Sequence, residues 1–185
     1  MTGTFAERLV AAIAGPHVVI DLDAFAGNVQ DMQQRLQRQG DIELMAVVKA
    51  NAYGHGIVMC ARAALDSGAT RLGVSRIEEG LLLRNHGITA PILALGPLNP
   101  ALIMAAVRNN IAITIGSPQN LDRIRPALEA LDDGALEVHL KVDTGMRRYG
   151  VLPAEASDIA HQLLDEPTIR YAGLFTHFAT ADSAD

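Results

Sequence analysis

A lysine ends the apolar run Leu44-Met45-Ala46-Val47-Val48-Lys49, and small residues with two glycines, Ala50-Asn51-Ala52-Tyr53-Gly54-His55-Gly56, follow it. Met45 to Val48 read as a short strand buried on both faces, as in a parallel sheet. Lys49 then sits at the strand's carboxyl end, where α/β folds keep their chemistry. Partial desolvation there lowers a lysine's pKa and frees the amine to form a Schiff base with a carbonyl compound. The same residues also suit a rim lysine that carries its charge out of an apolar strand. Composition alone leaves both readings open.

Two further stretches place polar chemistry after an apolar run. Leu140-Lys141-Val142-Asp143-Thr144-Gly145-Met146-Arg147-Arg148-Tyr149-Gly150 leaves a strand through a charged turn. A permanently charged, forked donor such as Arg148 holds an anionic oxygen in a fixed direction; alternatively, the loop's charges pair in solvent. Gly173 to Asp182 carries His177 past another strand, either as a site residue or as a satisfied rim histidine. Tyr53 is a site phenol or a half-buried loop tyrosine. His55 has no second histidine or carboxylate at ligand spacing, so no metal is assigned. Ser75, Glu78 and Glu79 read as a helix start rather than an acid pair.

The elements that must position these groups alternate along the chain. His17 to Leu22 reads as a strand, with Asp23 capping a helix whose apolar positions are Phe25, Val29, Met32 and Leu36 and which ends at Gly40. Apolar segments follow at 44–50, 71–77, 91–97, 111–117, 136–143 and 169–176, separated by stretches with helical spacing. That is a βαβ series. Asn99 before Pro100 and Ser117 before Pro118 are helix starts, and Pro126 is expected to kink or split the fifth helix. Strands in this order suit an open doubly wound sheet or an incomplete (β/α)8 TIM-type barrel of about six βα units. No glycine-rich dinucleotide fingerprint follows the first strand.

With 185 residues, 49% hydrophobic, the chain has one domain's length and can bury a core. Its net charge of −6 comes without a basic cluster, which argues against nucleic-acid and polybasic membrane partners and for a small-molecule ligand. Cys60 is the only cysteine, so an internal disulfide is excluded and a cytoplasmic setting with a core thiol fits. No apolar run reaches the ~20 residues of a membrane span. Leu9 to Gly15 is too short for a secretory signal.

Val48-Lys49-Ala50-Asn51-Ala52-Tyr53-Gly54-His55-Gly56 resembles the pyridoxal-phosphate attachment motif of alanine racemases. Asp143-Thr144-Gly145-Met146 with Arg148, and Thr176-His177-Phe178-Ala179 with Asp182, resemble that family's later motifs, in the family's order. The match spans most of residues 17–182. It implies the amino-terminal (β/α)8 barrel, pyridoxal 5′-phosphate as cofactor and L-alanine/D-alanine interconversion, which supplies D-alanine for peptidoglycan or catabolises it. It further implies that Lys49 carries the cofactor, Tyr53 reaches its phosphate, Arg148 orients its phenolic oxygen and the substrate, and His177 lies against it. Lys141 matches a lysine that can be carbamylated. Arg147 stands where the family most often has glycine.

Complete members use a second base, a tyrosine from a carboxyl-terminal β-domain of the other subunit of a homodimer. Residues 1–185 are therefore expected to be a partial barrel domain without that β-domain, inactive or nearly so alone. The alternative is a non-catalytic pyridoxal-phosphate carrier of the same barrel type, which the long motif matches resemble less.

Overall fold

The computed structural model describes residues 18–183. Six parallel strands form one sheet: β1 (Met45–Val47), β2 (Arg71–Val74), β3 (Ile92–Ala94), β4 (Ile111–Ile115), β5 (Leu136–Lys141) and β6 (Ile169–Phe175). Each pairs with the next, from Met45↔Arg71 on β1–β2 to Lys141↔Phe175 on β5–β6. Helix α1 (Leu22–Gln37) precedes the sheet; α2 (Ile57–Asp66), α3 (Ile77–Asn85), α4 (Ile103–Arg108), α5 (Pro118–Glu129) and α6 (Ala156–Asp165) link successive strands. A doubly wound sheet reverses its strand order at a switch point. This order never reverses, so right-handed crossovers stack the connecting helices on one face. The sheet with its alternating helices is the wall of an incomplete α/β barrel.

All five residues of β4 are buried. On β5 burial alternates: Leu136, Val138 and Leu140 are buried, and Glu137, His139 and Lys141 are half-buried on the opposite face. Burying a Leu or Ile side chain contributes roughly 1.5–3 kcal/mol, so this layer of Leu, Ile and Val compensates for the scarcity of aromatics. Cys60 on α2 is fully buried, as a core thiol should be. Arg84, near the end of α3, donates to the carbonyls of Asn109, Ile88, Ala90 and Asn110 at 2.8–2.9 Å. Its fork thereby ties the turn before β3 to the turn before β4.

Several local expectations are corrected. His17 and the Leu9 to Gly15 stretch lie outside the described residues, and residues 18–21 are not a strand. Val18 is 87% exposed and Val19 78%; without a neighbouring strand an extended apolar run makes no ladder. The cap of α1 is Asp21, whose Oδ1 accepts from Ala24 N–H at 2.9 Å, and Asp23 lies in the first turn. Met32 is exposed, and Gln33 takes the inward position. Pro126 does not split α5: it sits on the exposed side of one continuous helix, where water can serve the carbonyl left without a partner. Asn99 does cap its turn, accepting from Ala101 N–H at 3.2 Å. No helix among the described residues is long and apolar enough to cross a membrane.

Candidate active site

Lys49 leaves β1 two residues past its end and starts a single helical turn, Lys49–Tyr53. Ala50, Asn51, Ala52 and Tyr53 have φ of 51–55°, all left-handed. That conformation costs roughly 1–2 kcal/mol per non-glycine residue, and asparagine tolerates it best. The turn is held from several sides. Ala52 N–H donates to Val48 O at 2.8 Å. Gly54, at φ 93°, closes it with N–H bonds to Ala50 O and Asn51 O. Asn51 Oδ1 accepts from Ile57 N–H, the first residue of α2, at 2.9 Å. His55 Nδ1 lies 2.8 Å from Ala52 O, so this histidine braces the turn. Among the described residues no group of three His, Cys, Asp or Glu could hold a metal ion.

The arginine loop follows β5. Asp143 Oδ1 accepts from Gly145 N–H at 2.9 Å and Arg147 N–H at 3.0 Å; the Arg147 and Gly145 amides hold its carboxyl below the usual range. Arg147 itself is left-handed, φ 55°, which explains why glycine suits the position. Its exposed side chain does not line the cavity, so it does not compete with Arg148.

Tyr149 anchors the loop's far end. Its hydroxyl lies 3.1 Å from Thr114 O and 3.0 Å from Asn120 Oδ1, and burial pushes its pKa up to about 12. The ring fills a notch that exists because residue 116 is glycine: a Cβ there would lie 2.4 Å from Tyr149 Cζ. The two site loops are also joined, since Thr176 Oγ1 donates to Val142 O and lies 2.8 Å from Thr144 Oγ1.

Lys49, Lys141, Arg148 and His177 line one cavity of about 420 Å³ at the carboxyl ends of the strands. Met45, Val47, Leu95 and Pro97 supply its apolar wall. Among the described residues three cations face it and no carboxylate does. Burial lowers the pKa of Lys141, as do the charges of Arg148 and Lys49, against an opposing pull from Asp143. The donor set of a strand-end amine, a guanidinium and apolar walls fits an anionic aromatic aldehyde such as pyridoxal phosphate. Tyr53 does not line the cavity; it is 64% exposed, with its ring centroid 5.8 Å from Lys49 Nζ. Lower on the same face, Glu137 pairs with Arg170 and lies 3.5 Å from His139. The recess there holds only about 20 Å³, room for little more than a water.

Glu79 and Tyr149 had escaped sequence reasoning as site residues. Glu79 Oε1 accepts from Ala50 N–H at 2.8 Å and Oε2 from Ser75 N–H at 2.6 Å. The capping pattern was visible, but the reach across to β1 was not. For Tyr149 the only signal was its place beside Arg148.

The family model "Alanine racemase, N-terminal domain" matches residues 20–185. An alanine racemase of Desulfosudis oleivorans is 47% identical over 178 residues, covering 90% of this chain and 44% of that protein. The crystal structure of alanine racemase from Bacillus anthracis with bound L-Ala-P superposes with a TM-score of 0.80 at 38% identity, covering 92% of this chain and 45% of that one. Histidine racemase from Leuconostoc mesenteroides subsp. sake also superposes at 0.80, with 32% identity over 89% of this chain and 43% of that one. The chain thus spans less than half the length of the relatives it matches.

Proposed function

This chain belongs to the alanine racemase N-terminal domain family, and we propose that it forms the pyridoxal-phosphate-binding part of an enzyme that interconverts L-alanine and D-alanine. The observation that carries this reading is the cavity, lined among the described residues by an amine at a strand's carboxyl end and two more cations, with no carboxylate. Pyridoxal phosphate, when bound, supplies an electron sink that stabilises negative charge on the substrate's α-carbon.

The chain's own residues have the remaining tasks. Lys49 would hold the cofactor through its carbonyl carbon and, once the substrate's amine has displaced it there, would be free to take or return the α-proton on one face. Arg148, whose backbone adjoins the anchored Tyr149, would direct a forked donor at an anionic oxygen of cofactor and substrate. Tyr53, exposed at the rim, would offer its hydroxyl to the phosphate. His177 closes the side beyond β6. The lowered pKa of Lys141 raises the share of its neutral amine, the form that adds carbon dioxide and releases a proton. The resulting carbamate would replace repulsion of Arg148 by attraction.

Racemisation requires a proton to leave one face and return on the other, and Lys49 serves one. The second base is a tyrosine from the partner subunit of a homodimer, as family resemblance implies, and the setting is cytoplasmic. Residues 1–185 assayed alone are expected to form D-alanine only at background. The likeness to a histidine racemase makes histidine the competing substrate. The direct test is to incubate the protein with pyridoxal phosphate, reduce it with borohydride and map the modified peptide. The modification is expected on Lys49, and finding it on another lysine refutes the assignment. Chiral product analysis with L-alanine and L-histidine on the whole protein then decides the substrate.

A further inference from the structure

At the carboxyl ends of β1 and β2 the parallel ladder is interrupted by a side chain. Val48 N–H donates to Gly73 O at 2.9 Å, so the next rung of a parallel pair would join Ala50 N–H to Ser75 O. Ser75 O instead accepts from Gly96 N–H at 3.0 Å. Ala50 N–H, redirected by the left-handed turn, meets Glu79 Oε1, and Ser75 N–H meets Glu79 Oε2. One carboxylate therefore serves a backbone donor on each of two neighbouring strand ends. Amide bonds to a carboxylate are among the stronger hydrogen bonds.

The position of Glu79 on its helix makes this unusual. It is the third residue of α3, whose cap is Arg76. A glutamate there ordinarily reaches back to the cap's own N–H. Glu79 reaches one residue further, to Ser75, and across to Ala50. Both amides flank the cavity: Ala50 follows Lys49, and Ser75 lines the wall. Among the described residues Glu79 is the partner of Ala50 N–H, the first amide after the lysine.

We infer that Glu79 is a positioning residue for Lys49: by bridging the Ala50 and Ser75 amides it pins the left-handed turn to β2 and so fixes the direction from which the Lys49 amine enters the cavity. Glu79 touches neither substrate nor cofactor and acts through the backbone. The inference rests on the cofactor reading of Lys49 given above. Without the bridge, Ala50 is free to relax towards right-handed geometry, which turns the Lys49 Cα–Cβ bond.

The test compares the protein with Glu79→Gln and Glu79→Asp. Glutamine keeps the size but presents one N–H₂ to a backbone donor; aspartate keeps the charge on a shorter arm. Amide exchange at Ala50 and Ser75 is measured without cofactor, and the rate of borohydride-fixed pyridoxal phosphate attachment at Lys49 is measured separately. In Glu79→Gln at least one of the two amides is expected to exchange about ten- to a hundredfold faster, with Lys49 attachment slowed by at least about tenfold and a small change in thermal midpoint. Glu79→Asp is expected to recover much of the attachment rate. Attachment at the unmodified rate in Glu79→Gln overturns the inference while leaving the cofactor reading standing, and so does unchanged protection of both amides. Failure of both variants to fold, or the lack of any rescue by aspartate, assigns Glu79 to fold stability and overturns it too. A protein with native Glu79 that takes no label on Lys49 refutes the cofactor reading and the inference together.

Discussion

Replacing Gly116 by alanine inserts one methyl group into the notch that seats Tyr149. Gly116 is not left-handed, so the obstacle is steric: the new Cβ would lie 2.4 Å from Tyr149 Cζ and 2.6–2.7 Å from both Cε atoms. Ordinary contact begins at 3.4 Å, so the ring must retreat by about 1 Å. That carries the hydroxyl from its 3.0 and 3.1 Å partners to beyond hydrogen-bond reach. Overpacking costs about 1–3 kcal/mol and loss of the buried hydroxyl's bond about 1 more. The sum, about 2–4 kcal/mol, corresponds to a fall of roughly 5–15 °C in thermal midpoint for a chain of this size. Because Arg148 precedes Tyr149, affinity for pyridoxal phosphate is expected to fall as well. Urea unfolding followed by circular dichroism measures the first effect and fluorescence titration the second. Tyr149→Leu removes the clash, so Gly116→Ala should cost under about 1 kcal/mol in that background. A loss below about 0.5 kcal/mol in the single variant, or equal losses in both backgrounds, would refute the notch as the anchor of the arginine loop.

Arg84→Lys is expected to lower unfolding free energy by about 2–4 kcal/mol, because an ammonium cannot serve four carbonyls through a planar fork; denaturant titration checks it. Arg147→Gly removes left-handed strain at the cost of a more flexible unfolded chain, for a net gain of about 0.5–1 kcal/mol in the same assay. Lys141 has a depressed pKa, so between its folded and unfolded values the unfolded state binds more protons and its contribution to stability rises with pH. Lys141→Met removes that slope. The stability difference, variant minus parent, should favour the variant at pH 7 and shrink as pH approaches 10.5, the unfolded value; a difference independent of pH contradicts the assignment.

The strands were legible because each is an apolar, often β-branched run bounded by turn residues, and Asn99-Pro100 and Ser117-Pro118 announced their helices through local capping chemistry. Residues 18–20 misled for the complementary reason: Val18-Val19-Ile20 has a strand's composition, but composition does not say whether a partner strand lies beside it. Lys49, Lys141, Arg148 and His177 could be expected to lie together because each ends a strand or sits in the loop that leaves its carboxyl end, and one end of a parallel sheet gathers such loops. Tyr53 stands outside the cavity lining because a run of left-handed residues, which no periodicity reports, carries it to the rim. Tyr149 with Thr114, and Glu79 with Ala50, meet across 35 and 29 residues; such contacts depend on how the units stack, and a single residue type carries no trace of them.

The left-handed turn after β1 also bears on the order in which the molecule assembles. A segment with the disfavoured handedness at Ala50, Asn51, Ala52 and Tyr53 has no tendency to form in an isolated peptide. Its formation is expected once β1, β2 and α3 have docked and Glu79 is at hand, late on the folding route. Contacts made after the rate-limiting step leave the folding rate almost unchanged and act on the unfolding rate. A ligand fastened to Lys49 would therefore prolong the life of the native state without hastening its birth.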